Sequence, residues 1–299
     1  MVGNRPVIFC ALKKTAGLSF CCSLALMIAP TVRAASDGEI TAVSSRVSDD
    51  YVRTKLQDKS FPAETYAFGQ GGYWAGPAQD DTIDNLKFID VAHTIAGPLA
   101  RQNYLPATNP NQTKLLIMVY WGTTTGIGAA SSSVAYQNAQ ASNRSGTPNE
   151  QESAMLMIAL ENRRRDQANL KNAQMLGYDS EGLIGTDYGR QMLTTARHLK
   201  VEDLTGEIED NRYFVVLMAY DFQLLRKEKK HKLLWETRFS IRENRNDFGK
   251  TLSEMAQYAS RYFGQDSHGL IRKPIEHVDL GELKILGVEP EKQPSKAKN

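Results

Sequence analysis

The chain has 299 residues, 41% of them apolar and 23% charged, an ordinary globular composition with room for one large domain or two small ones. Its formal charge of +2 comes from 36 basic and 34 acidic groups, but residues 1–34 hold four of the basic groups (Arg5, Lys13, Lys14, Arg33) and no acidic one. The remainder carries 32 basic groups against 34 acidic, which provides no global field for DNA or RNA and argues against nucleic acid as a partner.

Those first 34 residues read as a secretory signal. Lys13 and Lys14 form a basic start, "TAGLSFCCSLALMIA" an apolar core ended by Pro30, and "TVRA" places Val32 and Ala34 at the −3 and −1 positions of a cleavage site after Ala34. The apolar core is shorter than the ~20 residues of a spanning helix. Cys10, Cys21 and Cys22 all fall inside the first 34 residues, so a processed chain has no disulfide, thiolate metal site or cysteine nucleophile. Bulky Phe20 before Cys21, and the apolar sequence after Cys22, disfavour lipid attachment. The expected location is the periplasm, the outer envelope or the extracellular space.

Residues 35–60 are polar and read as a lead-in. "ETYAFGQGGYW" (Glu64–Trp74) begins as a strand and meets Gly69, Gly71 and Gly72, which signals a bulge or loop. Phe88, Val91, Ala92, Ile95 and Leu99 recur at helical spacing, with Pro98 expected to kink or interrupt that helix. Lys114–Trp121 is a strand, and Gly122 to Asn143 reads as a mobile loop. Thr147-Pro148-Asn149-Glu150 is a capping box opening a helix to Leu176, stopped by Gly177. The central "ENRRRDQ" of that helix, with Arg163, Arg164 and Arg165, reads as a solvated face. Residues 178–211 are polar, with a short helix in "GRQMLTTARHL". Tyr213–Leu225 and Leu233–Ile241 are strands, the first apolar on both faces at its start, and they form a hairpin. A last helix runs over Asp247–Phe263, and the tail 279–299 is polar and partly disordered in expectation. The predicted class is α+β: a mixed or antiparallel sheet with helices packed on one face, in the order β-α-β-(helical insertion 122–212)-β-β-α, all within a single domain over 61–278.

Few motifs carry chemistry. Gly126-Ile127-Gly128 follows a strand, but Ser131 stands where a dinucleotide fingerprint needs its third glycine, and no P-loop lysine is present. The histidines (His93, His198, His231, His268, His277) show no metal-binding spacing. Asp80, Asp81 and Asp84 lack the pattern of a calcium loop and suit a helix N-terminus instead. No nucleophile elbow exists. Carboxylates such as Glu64, Asp80, Asp84 and Glu236 leave open a hydrolase of envelope or extracellular polymers, provided that they converge in a pocket. The hairpin tip "RKEKKHK" offers Arg226, Lys227, Lys229, Lys230 and Lys232 as contacts for an anionic membrane surface, or else as charges that discourage edge pairing. No catalytic residue, cofactor or metal is assigned.

"ETYAF" (Glu64–Phe68), "LARQNYLP" (Leu99–Pro106), "KLLIMVYW" (Lys114–Trp121), "KLLWETRF" (Lys232–Phe239) and the helix from Asp247 together resemble a family of uncharacterised bacterial envelope proteins, many of them lipoproteins. That family's pattern is a "K-T-Y-x-W" first strand, a helix ending in "GY", a "DLLVxY" strand, a hairpin with "LxW" and a closing helix. The resemblance spans residues 62–264 apart from the insertion 122–212. It departs from the family in lacking a lipid-attachment cysteine. It implies an exported α+β domain of unknown role, with no catalytic residues to carry over. The expected function is non-catalytic binding or structural support in the envelope. If the leader reading is right, N-terminal sequencing of exported protein begins at Ala35-Ser36-Asp37; an intact Met1 on cytosolic protein would overturn it.

Overall fold

The computed structural model describes residues 40–128, 130–178 and 195–274. The predicted leader, the whole of the predicted tail 279–299 and the start of the predicted helix near residue 189 lie outside them. The strands are β1 (Ile40–Val47), β2 (Glu64–Trp74), β3 (Tyr104–Pro106), β4 (Leu115–Thr123), β5 (Arg212–Asp221), β6 (Leu233–Arg242) and β7 (Ile271–Pro274). The helices are α1 (Asp81–Asp84), α2 (Phe88–Arg101), α3 (Val134–Ser145), α4 (Pro148–Leu176), α5 (Thr195–Glu209), α6 (Phe222–Glu228) and α7 (Phe248–Ala259). Among the described residues one seven-stranded sheet forms, in the order β3-β2-β4-β5-β6-β1-β7. β2 runs parallel to β3 and β4, and the remaining pairs are antiparallel, so the sheet is mixed and the fold is α+β as the sequence predicts.

Strand side chains alternate between faces, and the sheet uses both. Ile117 and Val119 of β4, Val215 and Leu217 of β5, and Trp235 and Phe239 of β6 point to one side, where Ile95 and Leu99 of α2 and Leu252 and Met255 of α7 cover them. This is the helical layer expected from sequence. Phe214 and Val216 of β5 point the other way, against Ala173 and Leu176 of α4 and Leu204 and Ile208 of α5. The insertion thus adds a partial second layer, because a strand apolar on both faces needs cover on both.

Several local readings hold at the level of single hydrogen bonds. Glu150 accepts from the Thr147 amide at 2.6 Å, Pro148 opens α4, and Gly177 closes it in the left-handed conformation (φ 80°). Asp247 caps α7 by accepting from the Lys250 amide at 3.1 Å. In β2 the register shifts between Gln70 and Gly72, the bulge that its glycines announce.

Other readings are corrected. The lead-in contains β1, an inner strand paired on both sides. Its Ser45 suits that place because it is satisfied: the Ser45 hydroxyl lies 2.7 Å from the Thr237 hydroxyl, and the Ser45 amide donates to the Ser267 hydroxyl at 2.9 Å. Pro98 sits inside α2 without ending it; it is buried against the sheet within the last turn. The supposed loop 122–143 includes most of α3, which starts after Ser133, whose side chain accepts from the Tyr136 amide. The hairpin arm stops at Asp221 instead of Leu225, since Asp221 accepts from the Leu224 amide at 2.9 Å and caps α6.

A buried ionic cluster joins the second helical layer to the sheet. Arg212 is 1% exposed and donates to the Ser240 hydroxyl at 3.2 Å. Its guanidinium lies 3.5 Å from Glu207, which accepts from the Tyr178 hydroxyl at 2.5 Å and pairs with Arg272 of β7. Burial, with Glu207 beside it and Arg212 opposing, pushes the Tyr178 phenol well above its ordinary pKa, so it stays a donor. Removing one member of such a cluster leaves the others buried without compensation. Glu207→Ala is therefore expected to cost about 3–5 kcal/mol in urea unfolding, against less than about 1 kcal/mol for breaking the exposed Lys230–Glu228 pair.

Candidate functional site

The glycine-rich stretch after β4 is tied down on every side. The Thr124 amide donates to the Arg212 carbonyl at 2.9 Å, the Gly126 amide to the Asn211 side chain at 2.8 Å, and the Gly128 amide to the Glu209 carbonyl at 3.0 Å. From α4, Arg165 donates to the Gly128 carbonyl at 2.7 Å and Asn172 to the Thr125 carbonyl at 2.9 Å. A β-carbon at Gly126 would run into the Glu209 carbonyl, so close backbone approach explains the glycine. The loop is a fixed seam and not a mobile one, and its Gly126 and Gly128 amides already have partners instead of facing a phosphate. Arg165 is likewise not on a solvated face. It is buried and pairs with Glu209 at 2.7 Å, whereas Arg164 is exposed and pairs with Glu161 at 2.9 Å.

Beside this seam lies an open, polar pocket of about 600 Å³, lined by Asp80, Glu209, Asp210, Tyr213, Arg242 and Glu243 among others. Its acids are largely committed to structure. Asp210 pairs with Arg242 at 2.8 Å, and Glu209 with Arg165. Asp80 caps α1 through the Thr82 amide at 2.9 Å and accepts from the Tyr213 hydroxyl. Partial burial works against the Asp80 carboxylate, but the bonds from Tyr213 and Thr82 outweigh it and hold its pKa below the usual range. Asp84 accepts from the Asp80 amide at 2.8 Å and from the Tyr73 hydroxyl.

Of the carboxylates that the sequence offers to a hydrolase, Glu64 and Glu236 lie away from this pocket. Glu236 lies on β6 five residues from Ile241, the register partner of Tyr213, which is ~17 Å of strand. Its odd-numbered strand neighbours face α2 and α7, so it belongs to the opposite face from the Tyr213 side chain. It pairs with Arg238 at 3.2 Å, which also donates to the last carbonyls of α4. Glu64 serves a separate cluster in which Arg53, stacked 4.0 Å from the Tyr104 ring, lies 3.6 Å from it and Tyr51 donates to it.

Among the described residues no three His, Cys, Asp or Glu side chains are placed to hold a metal. His93 is exposed on α2, His231 lies edge-on to Tyr220, and His268 is 3.4 Å from Asp266. His277 and the His198 side chain lie outside the described residues. The basic tip spans α6 and the turn after it. Arg226 donates to Asn111 at 2.6 Å, Lys230 pairs with Glu228 at 2.9 Å and Lys232 with Asp50 at 2.6 Å; Lys227 and Lys229 are exposed.

A further surface was missed in the sequence. Arg165 is the first buried residue of α4, so the preceding seventeen, ~25 Å of helix, project past the seam with α3 alongside. The Tyr136 hydroxyl of α3 donates to Asn162 at 2.5 Å, and an apolar groove of about 460 Å³ runs between the two helices. On this arm Met155 is 66% exposed, Leu156 62%, Met157 55% and Leu160 51%. The unbroken apolar run "AMLMIAL" (Ala154–Leu160) was the available signal.

No known family matches the chain, and no curated protein matches it. Among solved structures, a PDZ domain protein from Parabacteroides distasonis ATCC 8503 aligns with it at 10% identity and a TM-score of 0.35, over 78% of this chain and 38% of that one. This chain therefore spans well under half the length of that protein, and a likeness of this size carries no argument about activity or partners. The pocket itself makes a prediction. Because the folded pKa of Asp80 is depressed, its stabilising contribution is complete above the ordinary carboxylate pKa of ~3.9 and is lost as pH falls through the folded value. Tyr213→Phe should cost about 1 kcal/mol at pH 7, should cost less at pH 3, and should raise the Asp80 pKa in a carboxyl-carbon NMR titration.

Proposed function

We propose that this chain is an exported protein-binding module of the cell envelope that acts without catalysis, with the projecting α3–α4 arm as its binding element. The observation that carries this reading is the run Ala154–Leu160. Seven consecutive apolar residues cover the whole circumference of a helix, and helices apolar all round are ordinarily buried. Here four of the seven are more than half exposed, side by side, on an element that projects from the body of the protein. Contiguous apolar patches of this kind mark interaction surfaces. Methionines within the patch suit a surface that adapts to a protein partner.

The signal-like residues 1–34, and the resemblance of residues 62–264 to exported envelope proteins, support the location. Three of the four pocket acids, Asp80, Glu209 and Asp210, are each held by a structural partner, which supports a non-catalytic role.

The test is photo-crosslinking in cells. A benzophenone amino acid at Leu160 is expected to give protein adducts, while the same group at exposed His93 of α2 gives none. Absence of adducts from Leu160 would sink the binding role. Recovery of the chain only from the cytosol would sink the location.

A further inference from the structure

The projecting face of α4 carries a charge pattern that is complementary to itself. Glu152 and Arg163 are both exposed, and neither has a hydrogen-bond or ion-pair partner among the described residues. They are eleven residues apart, about three helical turns, and so stand within about 20° of each other around the helix. Leu156 and Leu160, both more than half exposed, fall on the same stripe between them. The half-buried residues of this segment, Ala154, Ile158 and Glu161, fall on the opposite side. Arg164 differs from Arg163 in being engaged, through two bonds to Glu161 at 3.0 and 2.9 Å.

We infer that α4 docks against α4 of a second copy of this chain, antiparallel, about a two-fold axis near residue 158. This rests on the reading of the arm as a docking surface and names its partner. In that pairing Leu156 of one copy meets Leu160 of the other on both sides of the axis. Glu152 of each copy then meets Arg163 of its counterpart, twice over. Parallel pairing would set Glu152 against Glu152 and Arg163 against Arg163, so the charges select the antiparallel arrangement. The same patch is used by both copies, as a closed two-fold contact requires. The apolar stripe covers only about two helical turns, which places the contact at the small, transient end of protein interfaces, with an affinity of about micromolar order.

Charge reversal tests the arrangement without disturbing the fold, because both charged positions are exposed. Sedimentation velocity of the full chain over a range of concentrations is expected to show a mass rising from one copy, 33.3 kDa or slightly less after processing, toward two. Glu152→Arg alone and Arg163→Glu alone should each weaken association at least tenfold, and the two together should restore it. A parallel contact would not behave this way, since each single reversal there exchanges one like-charge repulsion for another. A single-copy mass at all concentrations up to about 1 mM, or single reversals that associate like the parent, would overturn the inference. The crosslinking at Leu160 separates the two levels: an adduct of twice the chain mass supports self-pairing. Adducts of other masses only would overturn self-pairing and leave the binding role standing, and no adduct would overturn both.

Discussion

The structure turns on β5 being apolar on both faces. Val215 and Leu217 need a layer on one side, and Phe214 and Val216 need another on the other side. The first need is met by α2 and α7, which flank the strands in sequence. The second is met largely by the chain between β4 and β5, which folds back over the sheet. The burial of two or three large side chains on each face, at about 1.5–3 kcal/mol apiece, makes an uncovered face costly.

The ionic cluster and the glycine seam follow from that return. Helices laid over a sheet bring polar backbone and long side chains into places that water does not reach, and each must be satisfied there. Arg212, Glu207 and Arg272 solve this for α5, and Arg165, Asn172 and Glu209 solve it for α4. Glycine at 126 lets the chain pass close to the Glu209 carbonyl, and Gly128 supplies the left-handed turn (φ 67°). What resembles a ligand loop in one dimension is, in three, the stitching between an insertion and its sheet.

Much of this was legible because it is local. The box Thr147–Glu150, Gly177 at the end of α4, the apolar stripe of α7 and the glycine bulge of β2 are each fixed by residues within a turn or two of one another. Elements whose stability comes from elsewhere were hidden. β1 looks like a polar lead-in because the partners of its Ser45, Thr237 and Ser267, lie about 200 residues away in sequence. The break of the hairpin at Asp221 depends on a cap that competes with strand extension, and alternation alone does not weigh that competition. Arg165 and Arg164 are neighbours in a basic run, yet one is buried and the other exposed, because 100° of helical rotation separates a contact with the seam from open water. Among the carboxylates, residue type was visible and placement was not: Asp80 meets the Tyr213 hydroxyl, whereas Glu236 lies on the face of the sheet opposite the Tyr213 side chain.

The arm is the part of the molecule that folding does not account for. From Arg165 onward α4 has a reason to be where it is, and Asn172, Ala173 and Leu176 are buried. Before Arg165 the helix is supported by its capping box, by Pro148 and by α3, and neither the box nor Pro148 needs an apolar residue at positions 155, 156 and 160. Exposed apolar groups on a helix add nothing to the stability of the lone chain and expose it to unspecific aggregation. The polar residues at either end of the run are also not arranged as solubilising noise. Glu152 and Arg163 stand in line with the leucines, opposite in sign and without a partner among the described residues, while the nearby Glu161 and Arg164 satisfy each other. A stripe whose centre is apolar and whose two ends carry matching opposite charges is complete only when a second stripe of the same kind is laid against it in reverse.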